Sequence, residues 1–170
     1  MGTGAVRSGG RLGTPPPICA WLENPMNRIH PPDVYVADTL TGKGRGVFAG
    51  RDFREAEVVE VAPVIVIENG ATEILRQTIL RTYDFDWQVL ARTKHQATAI
   101  AGGYGSMYNH ASPANMIYHA DPVALTLVFT AARDINREEE LTINYNARGG
   151  GPVWHDDNWF EREDISSIGD

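Results

Sequence analysis

From Val34 onward, apolar positions recur at the short period of β-strands more than at the longer period of helices. The run "VYVADTL" from Val34 predicts a first strand, "GKGRG" (Gly42 to Gly46) a tight turn, and "VFAGRDF" from Val47 a second strand. The stretch "EVVEVAPVIVIE", Glu57 to Glu68, supplies one or two more. Ile74, Leu75, Thr78 and Ile79 fall at helical spacing and predict a helical stretch leading to "YDFDW". Beyond it, "NMIYHA" and "ALTLVFTAARDI" predict a hairpin around Asp121 and Pro122. In "REEELTINY", Leu141, Ile143 and Tyr145 share one side of a short strand, with Glu138, Glu139 and Glu140 expected to be solvated in the turn before it. The expected fold class is mainly β with short helices.

The flanks read differently. Residues 1–32 are rich in Gly and Pro, with "PPP" at Pro15 to Pro17, and are expected to form a flexible N-terminal arm. Residues 147–170 read as a Gly-rich loop followed by an acidic, aromatic C-terminal segment. One domain over residues 33–146 is expected between them, in a chain of 170 residues that is long enough to bury a core. No apolar run approaches a membrane span, and the first residues lack the apolar stretch of a signal peptide, so a cytoplasmic protein is expected. The net charge of −7 argues against direct nucleic-acid binding and for a basic partner. The lone Cys19 excludes an intramolecular disulfide framework and any multi-Cys zinc cluster. Among His30, His95, His110, His119 and His155 there is no recognised ligand spacing, so no metal is expected. Nor is "GKGRG" a phosphate loop, because Lys43 is followed by Gly44 and a strand instead of Ser or Thr and a helix.

The chemistry concentrates in "GYGSMYNHASPAN", Gly103 to Asn115. Asn109 and His110 stand side by side there, with tyrosines before them and Asn115 after. A polar loop, a metal site and a ligand pocket built from amide and backbone groups all fit such a segment. Tyrosines around one polar pocket would also suit a cationic group.

Three motifs taken in order narrow the choice: "GKGRGVFAGRDF", "YNHASPAN" and "EELTINY". Together they resemble the SET-domain family of protein lysine methyltransferases, most closely its short single-domain bacterial and viral members, over about Val34 to Tyr145. The resemblance implies a SET-type β-clip fold of small sheets with a pseudoknot, the second motif threading near the third. It implies S-adenosyl-L-methionine as cofactor, held by the backbone of Gly44, Arg45 and Gly46, by the Asn109 side-chain amide, by backbone groups of His110, and by Tyr145. Tyr145 would be the catalytic tyrosine. Tyr83 and Tyr104 would line the lysine channel. Ile143 would stand at the position that tunes the degree of methylation, its apolar side chain favouring more than one methyl. The zinc-binding cysteines of larger members are absent, so Trp154, with Trp159 and Phe160, would supply the C-terminal wall. The implied activity is methyl transfer to a lysine amine of a basic protein or peptide. The alternative is an inactive SET-fold module that binds a protein partner. The sequence departs from the family pattern at Ala111, Ala114, Glu138 and Asn144, which replace the usual Ser, Pro, Gly and Asp.

Overall fold

A strand hairpin opens the structure, a computed structural model that describes residues 29–39, 44–68 and 70–146. Trp154, Trp159, Phe160, Lys43 and most of the N-terminal arm lie outside the described residues. In chain order the first elements are β1 (Val34–Asp38), β2 (Arg45–Ala49), β3 (Val58–Glu68), the short helix α1 (Gly70–Leu75) and β4 (Asp84–Phe85). The single-turn helix α2 (Trp87–Leu90), β5 (Ala97–Ala101), β6 (Asn109–His110), β7 (Met116–Asp121), β8 (Thr126–Ala131) and β9 (Glu140–Ile143) follow. Two 3-10 turns, Ile79–Thr82 and Gly105–Met107, complete the set among the described residues.

The strands form two sheets, one ordered β1-β2-β9-β6 and the other β4-β5-β3-β8-β7. Glu57 to Glu68 thus gives a single long strand, paired with β5 along its C-terminal half and β8 along its N-terminal half. The predicted hairpin forms between β7 and β8, and Asp121 Oδ1 accepts the Val123 and Ala124 N–H groups to turn the chain. Val47, Phe53, Leu127, Phe129, Ile135 and Leu141 are fully buried, and Phe129 makes ring contacts with Phe85, Tyr108 and Tyr118.

Three expectations need correction. The helical stretch is broken in two, because the Thr78 hydroxyl donates to the Leu75 carbonyl and accepts the Leu80 N–H. The second strand stops at Ala49, and Phe53 makes only an isolated bridge to Ile135. The acidic run is not simply solvated: Glu138 is exposed, but Glu139 binds Arg133 and Asn115, while Glu140 binds Asn109.

Asn115 holds the last two motifs together. It is 3% exposed, and its side chain uses both ends. Nδ2 donates to the Glu140 carbonyl (2.8 Å) and to Glu139 Oε1 (3.1 Å), while Oδ1 accepts the Thr142 N–H (2.8 Å). Truncating it would strand a strand N–H and a carbonyl in the interior. Asn115→Ala is expected to cost about 3 kcal/mol. Urea unfolding would register this as a lower midpoint with an unchanged slope; an unshifted midpoint would contradict the role.

Candidate active site

The site is assembled where β6 lies parallel to β9, with Asn109 opposite Thr142 and His110 opposite Ile143. The Ala111 N–H donates to the Ile143 carbonyl at 3.1 Å. Successive residues of a strand point their backbone groups to opposite sides, so the N–H and C=O of His110 face away from β9, at the sheet edge.

Asn109 has a fixed amide orientation. Its Nδ2 donates to Glu140 Oε1 (2.8 Å) and to the Arg45 carbonyl (3.2 Å). Both neighbours can only accept, the carboxylate in its ionised form, so the amide cannot flip without losing both bonds. Gly46 leaves the room for this arrangement: a Cβ there would sit 2.6 Å from Glu140 Oε1 and 2.8 Å from Thr39 Cγ2. Gly44 closes the β1–β2 turn at a φ of 75°, and its carbonyl accepts the Thr39 N–H. Backbone and amide groups from the first and second motifs therefore meet here, with Glu140 of the third behind them.

Tyr145 stands just past the end of β9, not within it as the alternation predicts. Its N–H leaves the strand ladder to donate to His110 Nδ1 (3.1 Å), and the two rings lie 5.3 Å apart. Its hydroxyl donates to the Tyr108 carbonyl at 2.9 Å. Burial, then the neighbouring Tyr83 and Glu140, push the phenol up to about 12. At neutral pH it is protonated.

Tyr145 also lines a cleft of about 590 Å3, together with Tyr83, Asp84, Phe85, Ser106 and Ile143. Two residues expected in a substrate channel, Tyr83 and Ile143, therefore stand in one cleft with it. Tyr104 is not among the lining residues; it packs against the core, and its N–H donates to Glu60 Oε1. Trp154 lies outside the described residues.

Three further residues organise this wall, and the sequence reading missed them. Buried Glu60 accepts the Tyr108 hydroxyl at 2.6 Å. Ser106 accepts the Ala101 N–H and donates to the Tyr83 carbonyl. Asp84 meets the Thr98 hydroxyl, which also lies 2.9 Å from the Phe85 carbonyl. Its one proton is shared between the two acceptors, so Thr98 ties Asp84 to the end of β4.

With that geometry in hand, comparison with known proteins is decisive. The SET domain family matches residues 44–146. The chain belongs to the SET-domain family of protein lysine methyltransferases. It is 30% identical over 116 residues to the fission yeast (Schizosaccharomyces pombe) histone-lysine N-methyltransferase specific for H3 lysine-37, covering 68% of this chain and 72% of the relative. It is 31% identical over 120 residues to the N-lysine methyltransferase KMT5A of Xenopus tropicalis, covering 65% of this chain but only 35% of that protein. Among solved structures, a SET8 protein from Cryptosporidium superposes with a TM-score of 0.55 over 69% of this chain and 59% of its own, at 22% identity. That last likeness carries the fold alone. The mainly β architecture expected from the sequence is that of this SET-domain methyltransferase.

Asp84 gives the site a pH signature. Burial raises its carboxyl above the ordinary 3.8, against the Thr98 hydrogen bond and the charge of Arg76. The folded chain then binds this proton more tightly than the unfolded chain does. Stability from this group is therefore full below 3.8 and falls as pH rises through the folded value. The melting temperature of the native chain minus that of Asp84→Asn should decrease between about pH 3 and 7. A difference that is flat, or that grows with pH, would contradict this assignment.

Proposed function

We propose that this chain transfers methyl groups from S-adenosyl-L-methionine to a lysine side chain in a basic segment of a protein. Tyr145 is the observation that carries the reading. It is bonded to His110 through its backbone, to the Tyr108 carbonyl through its hydroxyl, and faces the cleft with Tyr83 and Ile143. One residue thus joins the Asn109–His110 corner to an aromatic-walled opening.

The donor set suits the proposed cofactor. Asn109 has Nδ2 committed to two acceptors, which leaves Oδ1 as the acceptor for a ligand ammonium. His110 accepts the Tyr145 N–H at Nδ1, which fixes its ring beside Tyr145, and its backbone groups at the sheet edge would hold the adenine. When bound, S-adenosyl-L-methionine supplies an electrophilic methyl group on a sulfonium. The protein's part is to hold and orient the amine. A free lysine amine titrates near about 10.4 and must be neutral to attack. Desolvation among Tyr83, Phe85 and Tyr145 favours the neutral form. The protonated Tyr145 phenol donates a hydrogen bond to the Tyr108 carbonyl, and its oxygen would accept one from the amine, acting as an orienting acceptor and not as a base. Alignment of this kind supplies on the order of 7–11 kcal/mol for well-oriented reactants.

The fission yeast relative is named for a histone lysine, and a net charge of −7 suits a Lys- and Arg-rich tail, so histone-like basic proteins are the proposed substrate class. Incubation with isotopically labelled S-adenosyl-L-methionine and a mixture of basic proteins tests the whole reading. Label should appear on lysine, fall about a hundredfold in Tyr145→Phe, and require about tenfold more cofactor in Asn109→Ala. Cofactor binding without any transfer would instead favour a module that binds a protein partner. Absence of cofactor binding would overturn the proposal.

A further inference from the structure

A carboxylate near the start of β3 has no cation paired with it among the described residues. This group, Glu60, is 4% exposed. Burying such a group is costly, and a core made of Val59, Ala62, Leu127 and Phe129 would accept an apolar residue there. Its two oxygens are used separately. Oε1 accepts the Tyr104 N–H (2.9 Å) and Oε2 accepts the Tyr108 hydroxyl (2.6 Å). The chain has been shaped around the carboxylate: Gly103 adopts a φ of 60°, and a Cβ there would collide with Glu60 Oε1.

The two donors bracket the 3-10 turn Gly105–Met107. Inside that turn, Ser106 donates to the Tyr83 carbonyl at 2.7 Å and accepts the Ala101 N–H at 3.0 Å. At its end, the Tyr108 carbonyl takes the Tyr145 hydroxyl at 2.9 Å. Tyr83 and Tyr145 of the cleft are therefore tied to one short segment, and Glu60 pins that segment at both ends. We infer that Glu60 is a positioning residue for methyl transfer: by holding Tyr104 and Tyr108 it fixes the carbonyl that orients the Tyr145 hydroxyl and the turn whose Ser106 holds the Tyr83 carbonyl. The consequence for the reaction rests on the methyl-transfer reading above.

The requirement is for two acceptors, which a carboxylate has and an amide lacks. Glu60→Gln keeps the volume but must turn its NH2 toward the Tyr108 hydroxyl, because the Tyr104 N–H can only donate. Tyr108→Phe removes the same bond from the other side while keeping the carbonyl. Two readouts on the full chain test the inference. In steady-state transfer, each folded variant should lose about tenfold or more in kcat with cofactor KM within about threefold, since small misplacements of reacting groups are expensive. The double variant should be no worse than the weaker single one, because both remove one bond. Losses that multiply, or an unchanged kcat in folded variants, would overturn the role.

The second readout does not depend on turnover. With tyrosine carbon-labelled at Cζ, the Tyr145 resonance, identified by its loss in Tyr145→Phe, should shift in both Glu60→Gln and Tyr108→Phe. A resonance that stays in place would overturn the inference even in an active enzyme. A shift in a chain that transfers no methyl would keep the hold of Glu60 on Tyr145 and sink the methyl-transfer reading instead. If Glu60→Gln fails to fold, Tyr108→Phe decides by the same criteria.

Discussion

The parallel pairing of β6 with β9 is the constraint on which the rest depends. These strands are only two and four residues long, and so short a pair has little ladder to hold it. What holds it is polar. Asn115 fastens the loop after β6 to Thr142 and to the Glu140 carbonyl, and His110 Nδ1 catches the Tyr145 N–H two residues beyond the strand. Residues more than thirty positions apart are thereby set side by side, with only two paired positions between the strands to align them.

Polar groups inside a small β protein are usually a liability, and here they are spent on geometry. Glu60 lies raised in pKa by desolvation, opposed by the Tyr108 and Tyr104 hydrogen bonds, and offers no obvious gain in stability. Asp84 is in the same position on β4. Each acid is bonded to a group that faces the cleft or holds a group that does. The surrounding core is apolar and aromatic, so it supplies the cohesion while these few polar contacts supply direction.

Much of this was legible in the residues. Strand alternation located β1, β2, β7 and β8, and the Asp-Pro turn joined the last two. The ordered motifs marked Asn109, His110 and Tyr145, which stand together at one corner. The misses have physical causes. Glu60 hid because β3 carries a register irregularity between Val58 and Glu60, so that Val59 and Glu60 are both buried and simple alternation fails. Glu139 and Glu140 looked like a solvated run because their partners, Asn115 and Asn109, lie far back in the chain. Tyr104 and Tyr108 were two similar aromatics in one segment, and only packing distinguished the core phenol that meets Glu60 from the tyrosine that supplies a backbone N–H. A buried acid within an apolar strand, followed forty-odd residues later by paired tyrosines, was the available signal.

The most direct test of the central claim is hydrogen exchange with and without S-adenosyl-L-methionine. If the β6–β9 corner is the methyl-donor site, saturating cofactor should slow exchange at the amides of residues 44–46 and 109–111 and leave the β7–β8 hairpin turn unaffected. Protection confined to other segments, or none at concentrations that saturate binding, would contradict the account.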